Sequence, residues 1–300
     1  MTRVIYHPTE LMLDDRQREK LQGYDPGFPY TAIDCRFDGY SGPCVDWHWH
    51  ATLEINVCVS GVLKTSTQRG EYIVREGDAV LVNANVLHRN EAYEGAPGVR
   101  VQTHMFDRSL VAAAELPQRR YVAPVVECTL LDALPLFREN AEHRAVLEAL
   151  DRAFEAASEE KDGYELEICG LLNRAWQGVY AQALPVIGAR QPLPRMETAR
   201  LKQMLGFIRE HYAEDISPVD IAAAAGVCER ECFRCFKQEL GTTPLSSLTD
   251  FRVRKAAELL RETDRSVTDI ASACGFATSS YFGKVFRRRM NLSPLAYRRG

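Results

Sequence analysis

No stretch of this 300-residue chain approaches the ~18 consecutive apolar residues of a membrane-crossing helix, and its first residues lack the apolar core of a secretion signal. A membrane protein is therefore not expected, and a cytoplasmic one is. Low-complexity segments are missing too, so composition marks no region as a solvated tail. Cysteine occurs nine times, an odd total scattered over positions 35, 44, 58, 128, 169, 228, 232, 235 and 274. Without export, this predicts reduced, mostly buried thiols rather than a disulfide framework. The net charge of −4 conceals an asymmetry. Residues 198–300 carry 17 Lys/Arg against 12 Asp/Glu, a balance of +5; the rest carries 20 against 29, a balance of −9. A basic third on an acidic body fits a nucleic-acid-binding module joined to something else.

What the chain does have is a repeat. Asp220-Ile221-Ala222, Gly226-Val227, Phe233 and Phe236 return as Asp269-Ile270-Ala271, Gly275-Phe276, Phe282 and Phe286. A short helix with buried Ile and Ala, a turn at Gly, then a helix with aromatics at helical spacing describes a helix-turn-helix. Two such units could place their second helices in successive major grooves of double-stranded DNA. Arg200–His211 is expected as a leading helix, and Pro244–Arg261 as a long helix bridging the repeats.

Asp269-Ile270-Ala271, Cys274-Gly275-Phe276, Ser280-Tyr281-Phe282, Val285-Phe286, Leu292-Ser293-Pro294 and Tyr297-Arg298 resemble the signature of the AraC/XylS regulators. Phe236 to Gly241, Pro244 and Arg252 through Leu260 resemble it as well. The resemblance covers residues 198–299 and implies an all-α module of seven helices with a double helix-turn-helix. Aligned on Gly226 and Phe236, it implies Cys232, Cys235 and Phe236 in the core, with Arg230, Phe233 and Arg234 facing the groove. In the second unit Ser279, Ser280 and Lys284 take the exposed positions. Arg pairs with guanine, Ser bonds either kind of edge, and an aromatic covers a thymine methyl. Lys237, Arg287 and Arg288 read as phosphate contacts, which position without specifying. For each of these the plain alternative is a solvated helix face. Cys228, Cys232 and Cys235 share a helix face, which invites a redox or metal reading; core packing is the competing one.

Between Thr31 and Phe106, short β-prone runs (Leu53–Val59, Tyr72–Val74, Ala79–Val82, Val99–Phe106) alternate with glycine turns, the pattern of an antiparallel sandwich or barrel. Within it, Gly42, His48-Trp49-His50, Glu54 and Gly61, then Gly77, Asn83, Asn85 and His88, resemble the two-part signature of the cupins, small β-barrels. Asn83 and Asn85 stand where that family usually has Pro and Gly. Alternation along a strand sends His48 and His50 to one face. The resemblance implies that these two, Glu54 and His88 hold a divalent metal, for which Zn, Ni, Fe or Mn would suit the donors. The alternatives are a metal-free lining for a small-molecule effector, with His104 as a further lining residue, or hydrogen-bonded structural residues. No cofactor follows with certainty, and His7, His143 and His211 are expected at the surface.

After Pro135, Glu142–Ser158 and Tyr164–Leu184 each carry an apolar stripe at helical spacing. They pack against the barrel or, as the regulator resemblance implies, form a homodimer interface. The expected architecture is α+β multidomain: an irregular or short-helical arm at 1–30, a cupin-like barrel at 31–130, a helical hairpin at 131–184, a linker at 185–197 broken by prolines, and the double helix-turn-helix at 198–300. The function expected is a sequence-specific transcription regulator, not an enzyme, that answers to a small-molecule effector such as a sugar, with RNA polymerase as a further candidate partner. Two alternatives stay open: a metal-dependent, dioxygenase-like cupin enzyme tethered to a DNA-binding module, and a regulator responding to metal itself.

Overall fold

The structure, a computed structural model, describes residues 4–6, 18–21, 23–37, 44–188 and 196–299. They fall into two compact units, one containing Arg18–Pro194 and the other Arg195–Gly300.

Among the described residues the first unit has ten strands: β1 (Val4–Tyr6), β2 (Tyr30–Arg36), β3 (Cys44–His48), β4 (Leu53–Ser60), β5 (Val62–Thr67), β6 (Glu71–Arg75), β7 (Ala79–Val82), β8 (His88–Ala92), β9 (Arg100–Phe106) and β10 (Ala133–Leu136). One sheet runs β1-β2-β9-β4-β7-β10 and the other β3-β8-β5-β6. All pairings are antiparallel except β1 with β2. Short helices α1 (Glu115–Pro117) and α2 (Ala123–Val126) flank a π-helical turn, Gln118–Val122. The hairpin α3 (Ala141–Glu159) and α4 (Tyr164–Ile187) follows β10.

The two periodicities of the chain meet on β4. Leu53, Ile55 and Val57 point outward into one apolar cluster with Leu147, Leu150, Leu172 and Trp176 of the hairpin. Glu54 and Asn56, on the opposite parity, line the barrel cavity. The larger sheet is thus covered on both faces, which is why its strands read as apolar runs rather than as clean alternation. The hairpin stripes Val146, Leu147, Leu150, Ala153 and Phe154, and Ile168, Leu171, Leu172, Ala175, Trp176 and Val179, are all buried within this unit. Packing on the barrel therefore accounts for them, while Leu166 (80% exposed) and Leu184 (47%) of α4 are left in solvent.

Several boundaries differ from expectation. Residues 4–6 of the expected arm form an edge strand beside β2 rather than an irregular segment. Most of the charged stretch Asp14–Lys20 lies outside the described residues, as do His7 and Gly42. Residues 133–136 belong to the sheet, not to the hairpin, because β10 pairs with β7. Helix α4 runs through Pro185 to Ile187, past the expected linker start; residues 189–195 of that linker lie outside the described residues, and its last two, 196 and 197, already belong to a helix. Asn85 adopts φ 62°, a left-handed conformation that Asn tolerates better than other side chains, so it serves in the turn where the cupin pattern has Gly. Neighbouring Asn83 donates to the carbonyls of Val125 (2.9 Å) and Leu131 (3.0 Å).

Among the described residues the second unit is seven helices: α5 (Met196–His211), α6 (Pro218–Ala224), α7 (Glu229–Leu240), α8 (Pro244–Glu262), α9 (Val267–Ala273), α10 (Ser279–Met290) and α11 (Pro294–Arg299). The repeated Asp-Ile-Ala acquires a physical meaning here. Ser217 accepts from the Asp220 N–H and Asp220 accepts from the Ser217 N–H, a full capping box; Ser266 caps α9 on the Asp269 N–H in the same way. Ile221, Ala222, Ile270 and Ala271 behind them are buried. Each turn then needs a left-handed residue, supplied by Gly226 (φ 62°) and Gly275 (φ 76°).

Candidate metal centre and nucleic-acid interface

Four side chains converge inside the barrel. His48 and His88 are opposite one another on β3 and β8, with ring centroids 4.1 Å apart. His50, two residues on, returns to the same face. Glu54 enters from β4. One ligand atom from each of the four lies within 4.8 Å of all the others, and all four residues are buried.

The backbone fixes which ring nitrogen faces the centre. Nδ1 of His48 is 2.7 Å from the Asp46 carbonyl, Nδ1 of His50 is 3.0 Å from that of Thr52, and Nδ1 of His88 is 3.0 Å from that of Val86. A carbonyl only accepts, so each Nδ1 carries a proton and donates it there, and each ring turns its Nε2 inward. Glu54 Oε2 meets two of them, 2.9 Å from His50 Nε2 and 3.3 Å from His88 Nε2. Its other oxygen accepts from Asn56 and from Asn90 (3.1 Å). Thr103 in turn donates to Asn56 Oδ1 (2.6 Å) and Thr65 to Asn90 Oδ1 (2.7 Å), so the carboxylate is locked in place. Burial and the neighbouring His88 hold the His48 imidazole well below its ordinary range, in the neutral form. Burial raises the Glu54 carboxyl, but His88 and His50 outweigh it and hold the group well below the carboxylate range.

Sequence reasoning missed three members of this site. Asn56 and Asn90 follow Glu54 and His88 by two residues on their strands, and that alternation was the available signal. Glu19 had no such signal: its Oε2 lies 3.8 Å from His48 Nε2 although the two are far apart in sequence. Burial, with Glu54 beside it, pushes the Glu19 carboxyl up to about 8. The cavity between these groups has a volume of about 40 Å³.

His104 does not join them. Val101, Thr103 and Met105 of β9 line the cavity; His104, of the other parity, faces the hairpin, edge-on to Phe154 with centroids 5.9 Å apart. His143 is also buried rather than superficial, its Nδ1 accepting from the Phe137 N–H at 2.9 Å.

In the second unit the residues expected to face DNA are all exposed: Arg230, Phe233, Arg234 and Lys237 on α7, and Ser279, Ser280, Lys284, Arg287 and Arg288 on α10. Cys232, Cys235 and Phe236 form the buried face of α7. Arg234 is not loose. It donates from Nε to Glu231 Oε2 (2.8 Å), from Nη2 to Glu231 Oε1 (2.5 Å) and from Nη1 to Gln238 (2.8 Å). Ser279 and Ser280 open α10, directly after its cap Thr278, where a recognition helix meets base edges. Tyr281, 55% exposed beside them, was not among the residues expected to face DNA. The cysteines of α7 do not share one environment: Cys228 is exposed while the other two are buried. Burial pushes the Cys232 thiol up to about 12, which suits packing and not reactivity.

A double-sheet barrel enclosing a cavity and a seven-helix unit with two helix-turn-helix motifs define a transcription regulator with a ligand-binding domain. Comparison with known proteins agrees. Residues 30–175 match the AraC-like ligand binding domain, and residues 221–300 match a helix-turn-helix domain. The chain is 28% identical over 269 residues to the uncharacterized HTH-type transcriptional regulator YdeC of Bacillus subtilis, covering 90% of each chain. It is 42% identical over 102 residues to the HTH-type transcriptional activator RhaS of Klebsiella pneumoniae, which is 34% of this chain and 37% of that one. Among solved structures, an AraC-type DNA-binding domain protein from Chromobacterium violaceum is 33% identical at a TM-score of 0.33, over 33% of this chain and 89% of that one. The chain belongs to the AraC family of transcription regulators. No helix among the described residues is long and apolar enough to cross a membrane.

Proposed function

We propose that the barrel of this regulator holds a divalent metal ion at His48, His50, Glu54 and His88, and that its occupancy sets how the helix-turn-helix unit engages double-stranded DNA. One observation carries this reading: three histidine Nε2 atoms and a Glu54 carboxylate oxygen converge within 4.8 Å of one another, each histidine held by its Nδ1 on a backbone carbonyl. Three imidazoles and one carboxylate aimed at a common point are a donor set for a divalent cation, and the imidazole-rich character suits Zn, Ni, Fe or Mn. When bound, the ion supplies a Lewis-acid centre able to take an oxygen donor. The cavity of about 40 Å³ supports an ion with one or two waters over a sugar, which requires the barrel to open. For the signal to reach DNA, the ligand must bind two states of the protein unequally.

On α4 the exposed face reads Leu166, Gly170, Arg174, Gln177, Ala181 and Leu184. Two leucines bracketing small and polar residues suit a second copy of this helix, and a homodimer would present four helix-turn-helix units to paired half-sites. RNA polymerase fits as a further partner once DNA is bound, and the cytoplasm as the place of action. The reading of the barrel as a tethered dioxygenase rests on the same four side chains and on no further group.

Metal content of the purified protein tests the proposal, alongside DNA affinity measured with and without chelator. Near-stoichiometric metal, lost in His50→Ala, together with a chelator-dependent change in DNA affinity, is the expected result. A metal-free wild type whose DNA binding ignores chelator overturns it, and oxygen consumption that depends on the metal would favour the enzyme instead.

A further inference from the structure

Beside the four-residue cluster lies a fifth acid brought from elsewhere in the chain. Arg18 pairs in parallel with Trp49 as an isolated bridge, and its guanidinium lies 5.9 Å from the Trp49 ring centroid. The Glu19 N–H donates to the Trp49 carbonyl at 2.9 Å. This docks residues 18 and 19 alongside His48-Trp49-His50 and turns the Glu19 side chain into the cavity, where it is a lining residue together with His48 and Glu54. Its Oε2 is buried and has no hydrogen-bond partner. A buried carboxylate oxygen without a donor is costly, and the described cavity lining contains no Lys or Arg to offset it. Two carboxyl groups, Glu19 and Glu54, therefore stand beside the three inward Nε2 atoms of the histidine cluster. A dication placed among them would balance two carboxylates.

We infer that Glu19 is a further donor to the metal site, so that the segment preceding the barrel is pinned to it by the ion. The inference rests on the metal reading above and extends it: metal occupancy is converted into the position of a segment outside the barrel, which four barrel-borne ligands alone would not do. Glu54 remains the anchoring carboxylate, held by Asn56 and Asn90. Glu19, whose oxygen has no such support, is the donor that can leave.

The test compares wild type, Glu19→Gln and Glu54→Gln as full-length proteins, with Zn²⁺ as the probe. Affinity is read by competition with a chromophoric chelator, and the segment by trypsin cleavage after Arg18 and Lys20. Wild type is expected to bind one ion and to resist cleavage at those sites only when loaded. Glu54→Gln is expected to lose metal altogether. Glu19→Gln is expected to keep the ion about tenfold more weakly, and to be cut at the same rate with or without it at saturating Zn²⁺. Glu19→Asp, one methylene shorter, keeps the charge and should behave like Glu19→Gln if the carboxylate must reach the ion. Equal affinity and equal metal-dependent protection in wild type and Glu19→Gln overturn the inference while leaving the four-ligand site intact. Absence of Zn²⁺ binding in wild type overturns both.

Discussion

His104 Nδ1 lies 2.9 Å from the Tyr30 hydroxyl, and both residues are completely buried on the hairpin side of the larger sheet. The pair is a polar island between sheet and α3, facing away from the metal-type cluster. Burial alone lowers the His104 imidazole to about 3, so the ring is neutral wherever the fold survives. In the unfolded chain the same ring titrates near its ordinary value of about 6.5. Between these values the unfolded state binds the extra proton and the folded state does not. Stability attributable to this group is therefore complete above pH 6.5 and falls by about 1.4 kcal/mol per unit as pH drops toward 3. Replacing both partners, Tyr30→Phe with His104→Leu, removes the island without stranding either polar group. Urea denaturation at pH 7, 6 and 5 should show a shallower acid loss in the double variant; parallel slopes would mean that the ring is not held neutral.

The two turn glycines of the repeat are not equivalent. A Cβ on Gly226 would meet nothing within 4 Å, whereas on Gly275 it would lie 2.6 Å from the Tyr212 carbonyl oxygen and 2.9 Å from Arg252 Nη2. Arg252 of the bridging helix donates to the carbonyls of Tyr212 (2.7 Å) and Glu214 (2.6 Å), so the contact cannot give way cheaply. Gly226→Ala is expected to cost the left-handed penalty alone, about 1–2 kcal/mol. Gly275→Ala adds a backbone collision and should cost distinctly more. Thermal melts of the two variants, with circular dichroism as the readout, decide this; similar losses would show that the α5–α6 connection yields.

What was legible in the sequence follows from period. Asp-Ile-Ala could be read because capping and burial put an acid and two small apolar residues at consecutive positions, and the second copy confirmed the pattern. His48, His50, Glu54 and His88 could be read because strand alternation gathers such residues on one face. Parity relative to the cavity could not be read for His104, since both faces of β9 are buried and only the fold says which is inside. Glu19 was invisible for a different reason: its place depends on where a separate segment crosses the barrel, and no local spacing records that. The helical hairpin was legible as two amphipathic helices, but whether their stripes met the barrel or a second subunit was a question about the outer face of a sheet that reads as uniformly apolar.

Helix α7 begins without the cap its counterparts have. Ser217, Thr243, Ser266 and Thr278 each accept a backbone N–H at the start of α6, α8, α9 and α10, while Cys228 at the start of α7 makes no such bond. Cys228 is exposed, so its substitution leaves the core untouched. Cys228→Ser should stabilise the protein by about 0.5–1 kcal/mol through the new cap. An unchanged denaturation midpoint would show that the Cys228 backbone geometry, and not the side chain, limits the start of this helix.

The exposed residues of α7 and α10 divide by what they can recognise. Arg234 is already oriented by Glu231 and Gln238, so little side-chain freedom remains to be lost when it meets a base. Arg234→Ala and Lys284→Ala should each weaken binding to the cognate site by about 1–3 kcal/mol with little effect on random DNA. Glu231→Gln removes the charge that holds Arg234, and should lower discrimination without changing the charge of the arginine itself. Arg287 and Arg288, in the last turn of α10, have no comparable side-chain contact among the described residues and are expected to act as phosphate anchors. Their alanine variants should weaken cognate and random DNA alike, each reducing the slope of log K against log salt by about 0.9. Titrations at several salt concentrations on both DNAs separate the two groups. If Arg234→Ala lowers affinity equally on both and flattens the salt slope, α7 holds the backbone and the reading of sequence passes to Ser279, Ser280 and Lys284 on α10.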